Sequence, residues 1–321
     1  MKTFALATLM ILTAGGRSWA QGGPIRDSVM HFTSGPLTLE ATLTLPGGTG
    51  PWPAAVIIAG SGPTDRNGNN PGGVSADTYA MLARGLAERG IATLRYDKRS
   101  LPATRGTFDL RSVTPHDFAA DAAAAARAIA SRGDIGPVSF IGHSEGGMLA
   151  LLAAREGAPV RRLVLASATG RDLTTILREQ LSRQFSPAIV SQFDTAWTAY
   201  LAGEPFTAPK GLEMLFVPVN RRFMQSWRDI DPVDLLRGLA LPTLVLQGET
   251  DVQVTPADAA ALGSARADVK VVLLPGVNHV LKIDRGKTIA EQMASSYSNR
   301  SLPLAPGVVP AIADFILAAG K

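Results

Sequence analysis

Residues 138–150 read VSFIGHSEGGMLA. An apolar run at 138–141 leads into a serine set between Gly142 and Gly146, and the residues after it continue as a helix. A strand that passes through G-x-S-x-G into a helix reverses so sharply at the serine that only glycine-sized neighbours fit, which leaves the hydroxyl standing above the sheet. The motif alone is common by chance; the strand before it and the helix after it give it mechanical meaning. Ser144 is therefore read as a nucleophile rather than a small residue in a tight turn. The helix N-terminus beneath it favours developing negative charge.

Outward from this turn the chain alternates. AAVIIA at 54–59 is continuously apolar, as a central strand covered on both faces must be. Further strands are expected at 91–96, 163–166, 243–246 and 269–274. Helices are expected at 77–89, from Thr114-Pro115 to 132, at 145–155, after Thr255-Pro256, and at 308–319. Two β-type runs, 28–32 and 37–45, flank a Thr-Ser-Gly-Pro turn and predict an antiparallel hairpin, with Leu37, Leu39, Ala41, Leu43 and Leu45 on one face. Strands alternating with helices predict an α/β fold: a mostly parallel sheet with helices on both faces. Residues 171–237 break the pattern. They give helix-like pieces at 172–184, 187–202 and 221–227 and are expected to form a helical cap inserted between two strands. The apolar residues there (Leu173, Ile176, Leu177, Phe185, Phe193, Trp197, Tyr200, Met214, Phe216, Phe223, Met224 and Trp227) either line a substrate pocket or pack the insertion onto the core.

A serine hydroxyl is a poor nucleophile until a base removes its proton, and histidine is the usual base near neutral pH. The chain has four histidines. His31 lies in the hairpin, His116 opens a helix, and His143 sits within the turn itself, its side chain expected to point away from Ser144. His279, in LLPGVNHVLK after the last strand, is expected over the serine. The group that orients the imidazole should lie between the two in sequence, at a strand end. Asp251, in TLVLQGETDVQV, meets that condition; Glu249 is the alternative, while Asp258 and Asp268 belong to the next helix and the loop beyond it. An oxyanion needs two backbone N–H groups. One is expected from Glu145, the other from the loop beginning AGSGPTDR, at Ser61 or, second, Gly62.

With 321 residues, 46% of them hydrophobic, the chain can bury a large core as one domain with an insertion or as two. Residues 1–20 place Lys2 before an apolar run that ends in small residues, the layout of a secretory signal peptide cleaved after Ala20. The run is shorter than the roughly 20 apolar residues a spanning helix needs, so no stable membrane anchor is expected. The absence of cysteine excludes disulfides, thiolate catalysis and cysteine-based zinc sites. Without Lys2 and Arg17 the charge is 29 basic against 27 acidic residues, too even to indicate a nucleic-acid partner. No HExxH, phosphate loop or other cofactor motif occurs, and neither metal nor cofactor is expected.

Together these residues resemble the α/β-hydrolase superfamily. More narrowly they are similar to exported bacterial serine carboxylesterases that carry a GSGPTDR loop and a GHSEGG elbow. The matching stretches are 60–66, 142–147, Asp231-Pro232, 242–254 and 275–279. The resemblance implies a Ser144–Asp251–His279 triad, an oxyanion site at Ser61 and Glu145, a core formed by 21–170 and 238–321, a cap at 171–237, and a small carboxylic ester as substrate. The alternatives are the same machinery acting on a peptide, thioester or lactam, and a non-catalytic protein that uses the cap as a ligand pocket.

Overall fold

The computed structural model describes residues 23–319; the expected signal peptide lies outside the described residues. Eight strands form one sheet: β1 (Arg26–Ser34), β2 (Leu37–Leu45), β3 (Trp52–Ile58), β4 (Ala92–Tyr96), β5 (Ile135–His143), β6 (Leu163–Ala166), β7 (Thr243–Gly248) and β8 (Lys270–Leu274), in the order β1-β2-β4-β3-β5-β6-β7-β8. β1 and β2 pair antiparallel as the expected hairpin, β2 pairs antiparallel with β4, and all other pairs are parallel. β2 and β6 have the bounds read from the sequence, and the other strand ends differ by up to three residues, because terminal ladder bonds depend on the neighbouring strand and not on local pattern.

The helices are α1 (Thr78–Glu88), α2 (Pro115–Ala130), α3 (Glu145–Arg155), α4 (Leu173–Ser182), α5 (Pro187–Ala202), α6 (Arg221–Arg228), α7 (Pro232–Arg237), α8 (Pro256–Gly263), α9 (Ile289–Gln292) and α10 (Val308–Leu317). α1 and α10 cover one face of the sheet through residues such as Leu82, Leu86, Val308 and Ile312. On the other face α2, α3 and α8 pack through Ala122, Ala125, Leu149, Leu151 and Leu262. The alanine run of α2 is buried throughout; its short side chains let the helix lie close to α3 and the sheet.

Two α-helices escaped the sequence reading. α7 is capped by Asp231, whose side chain accepts from the N–H groups of Val233 and Asp234. α9 leads into one π-helical turn over Met293–Tyr297. Neither has enough turns to show a period.

The order of the strands fixes where a ligand can sit. After β3 the chain steps to β4 on one side and then returns to β5 on the other. The loops after β3 and β5 therefore diverge and leave a crevice at their carboxyl ends, the usual binding place in open α/β sheets.

Candidate active site

Ser144 ends β5 and opens α3 with φ 56° and ψ −126°. A non-glycine residue adopts such a backbone only when its surroundings force it. Here the Ser144 N–H donates to the Ala166 carbonyl at 3.0 Å, and the Ser144 carbonyl accepts from Gly147 at 2.9 Å. A β-carbon on Gly142 would strike the Gly146 carbonyl, and one on Gly146 would strike that of Ile58. The two glycines are steric requirements of the turn.

Asp251 and His279 come from the loops after β7 and β8. Asp251 is buried. Its Oδ1 accepts from the backbone N–H groups of Gln253 (2.8 Å) and Val254 (2.9 Å), and its Oδ2 meets His279 Nδ1 at 2.8 Å and Gln247 Nε2 at 3.3 Å. With both oxygens held, the carboxylate aligns the imidazole through one nitrogen and leaves Nε2 for chemistry. The His279 loop is itself pinned: the Asn278 N–H donates to the Lys282 carbonyl at 2.9 Å, and Lys282 Nζ, fully buried, donates to the carbonyls of Ala76 and Asn299 at 2.7 Å each. Ser144 and His279 open onto the same cavity of about 320 Å³. Its other walls include Gly60, Ser61, Tyr79, Thr169, Leu173, Ile176, Leu177, Met224, Trp227 and Tyr297.

The remaining sequence candidates fall elsewhere. Glu249 is exposed, and Asp268 is exposed and paired with Arg266 at 2.9 Å. Asp258 is buried but pairs with Arg171 at 2.8 Å and caps α8, tying the start of the helical insertion to the core. His31 and His116 pair with Glu40 and Glu156 at the surface. His143 is buried. Tyr79 Oη lies 2.8 Å from its Nδ1, its Nε2 lies 2.8 Å from the His279 carbonyl, and Tyr79 Oη also accepts from the Gly60 N–H at 3.1 Å. For a neutral imidazole one proton arrangement satisfies all three contacts: the phenol donates to Nδ1, and Nε2–H donates to the carbonyl. Burial pulls the His143 pKa down from 6.5 to about 3, and the neighbouring His279 adds to the shift. His143 is thus a neutral strut between α1 and the loop after β8, with Tyr79 carrying the link on to Gly60.

The loop at 60–66 shows what its residues are for. Thr64 Oγ1 donates to the Ser61 carbonyl at 2.9 Å, and Asp65 Oδ1 accepts from the N–H groups of Asn67 (2.8 Å) and Asn69 (2.9 Å). Arg66 pairs with Glu40 of β2, and its N–H donates to Asp97 at 2.8 Å. The N–H groups of Ser61 and Glu145 donate to no protein acceptor among the described residues.

The apolar residues of the insertion divide. Leu173, Ile176, Leu177, Met224 and Trp227 line the cavity, whereas Phe193, Trp197 and Tyr200 stack in sequence and meet Phe216 edge to face, with ring centres 5.5–6.1 Å apart inside the insertion. Met214 is 80% exposed and does neither. Sequence reasoning missed Tyr79, Lys98, Thr169 and Tyr297. Lys98 had a readable signal, being a charged residue at the carboxyl end of a buried strand. Among the described residues no cluster of three or more His, Cys, Asp or Glu could hold a metal ion, and no helix is long and apolar enough to cross a membrane.

Residues 55–291 match the alpha/beta hydrolase family, and the chain belongs to it. It is 28% identical over 254 residues to the esterase EstD of Thermotoga maritima; the match covers 78% of this chain, and the chain spans 60% of that relative's length. Among solved structures it is similar to Est1E from Butyrivibrio proteoclasticus, with a TM-score of 0.58 at 19% identity, covering 90% of this chain and 97% of that one. A proline iminopeptidase of Mycobacterium smegmatis gives 0.57 at 17% identity, covering 90% and 97%. At such identities the structural likeness speaks for the fold alone.

Proposed function

We propose that the protein is a serine carboxylesterase acting on small carboxylic esters. The observation that carries this reading is the 2.8 Å contact between Asp251 and His279 at a cavity that also receives Ser144. Ser144 Oγ attacks the ester carbonyl carbon as His279 Nε2 takes its proton, and the negative oxygen accepts from the N–H groups of Ser61 and Glu145. Collapse of the tetrahedral adduct expels the alcohol, protonated by His279, and leaves an acyl-enzyme. Water, deprotonated by the same imidazole, attacks that ester and releases the acid. No step needs a metal or a cofactor.

The preference for an ester rests on the likeness to EstD and on the 60–66 and 142–147 motifs. The helices between β6 and β7 act as a cap whose cavity-lining residues select the acyl or alcohol group. The N-terminal 20 residues direct export to the periplasm or medium, which N-terminal sequencing of the mature protein tests.

A fluorophosphonate probe should label the wild type and fail to label Ser144→Ala; a folded wild type that stays unlabelled overturns the reading. A panel of p-nitrophenyl esters of increasing acyl length should show turnover with a preference for short chains. Inactivity on all of them, with cleavage of aminoacyl amides, selects the peptidase alternative.

A further inference from the structure

A buried ammonium stands behind the two amides assigned to the oxyanion. Lys98 lies just past β4 and is 5% exposed. Its Nζ donates to the Gly60 carbonyl at 2.9 Å and to Glu145 Oε1 at 2.8 Å, and it sits 4.7 Å from the centre of the Phe118 ring. The Glu145 carboxylate is 3% exposed along its side chain, and Lys98 is its only ion-pair partner among the described residues. Withdrawing both charges from water is costly, and an apolar pair of similar volume would hold the fold as well or better. Packing gives no reason for a charged pair here; its position does.

The carbonyl that Lys98 grips belongs to the peptide group whose N–H is that of Ser61. This peptide bond is trans, since Gly50–Pro51 is the one cis bond among the described residues. In a trans peptide the C=O and N–H point in opposite directions, so fixing the oxygen on Lys98 fixes where the Ser61 N–H points. A cation on the oxygen also polarises the group and makes its N–H a stronger donor. The preceding peptide is held as well, by the Gly60 N–H bond to Tyr79 Oη. The loop lies at the nucleophile: a β-carbon on Gly60 would come within 3.1 Å of Ser144 Cβ. From the other side the same ammonium holds the side chain of Glu145, whose own N–H is the second donor.

We propose that Lys98 is a positioning residue for the oxyanion site: through the Gly60 carbonyl and the Glu145 carboxylate it sets the spacing and the donor strength of the Ser61 and Glu145 amides. The inference rests on the serine-hydrolase reading above and adds a role for two charged side chains that touch no reacting atom.

The test compares wild type with Lys98→Met and with Lys98→Met/Glu145→Leu. The double variant keeps the volume and removes both charges, and it carries the measurement if the single variant does not fold. Each is assayed on a p-nitrophenyl ester and on the matching thionoester, whose sulfur is a poor hydrogen-bond acceptor. Outright loss of one oxyanion donor costs about 10²–10³-fold in kcat. Loosening the pair should lower ester kcat by about 10-fold or more, leave KM within about twofold, and change thionoester turnover much less. An ester kcat within twofold of wild type, or equal losses on both substrates, overturns the proposal. Failure of the underlying reading is separate: it shows as a wild type that resists fluorophosphonate, whatever Lys98 does.

Discussion

At the residue scale, one carboxylate is distinguished from another by what it touches. Asp251 is buried with four donors on its two oxygens, one of them His279, while Glu249, two residues earlier, faces solvent. Asp251→Asn should therefore lower kcat by about 10⁴-fold, since the amide favours the wrong imidazole tautomer; Glu249→Gln should leave steady-state kinetics within about twofold. Ester-hydrolysis assays of the two variants check both, and the reverse result would move the orienting role to Glu249. The contact of Asp251 with His279 beside a cavity shared with Ser144 was legible because each residue sits at a strand end in a fixed chain order. The side chain of Glu145 was not, since its partner Lys98 lies 47 residues away in the sequence.

At the scale of elements, the insertion carries two kinds of apolar residue that no hydropathy pattern separates. Trp197 is in the aromatic stack and away from the cavity, so Trp197→Ala should cost about 3–5 kcal/mol of stability, seen as a lowered urea midpoint. Leu177 lines the cavity and is half-buried. Leu177→Ala should shift the optimum of the p-nitrophenyl ester series toward longer acyl chains, with a smaller loss of stability. Helices 187–202 and 145–155 were read at their true bounds because Pro187 and the turn at Ser144 start them clearly; the first also shows a helical period of buried residues, while the second is buried almost throughout. The segment 289–297 was missed because α9 and the π-turn are too short to reveal a face, although they deliver Tyr297 to the cavity and to Gln253 Nε2 at 2.6 Å. The β-strand alternation likewise predicted the sheet but not its order, which depends on contacts made only after folding.

At the scale of the whole molecule, acid should act through His143. Its folded pKa of about 3 lies below the ordinary 6.5, so the unfolded chain binds a proton that the native state refuses. The stability it contributes is complete above pH 6.5 and is lost as pH falls from 6.5 toward 3, at up to about 1.4 kcal/mol per pH unit. Urea unfolding between pH 4 and 7 should show that slope in the wild type and a flatter one in His143→Gln; identical slopes would remove His143 from the account. The helical insertion has a different consequence. It joins β6 to β7, which are hydrogen-bonded neighbours in register from Leu163↔Thr243 to Ala166↔Leu246, and parallel neighbours always need some crossover of a dozen or more residues between them. The insertion is that obligatory crossover grown large, so its length can change without breaking the β6–β7 ladder, yet it also grips the loop that carries Asp251: Gln180 and Arg183 donate to the carbonyls of Gln253 and Val252 at 2.8 Å each.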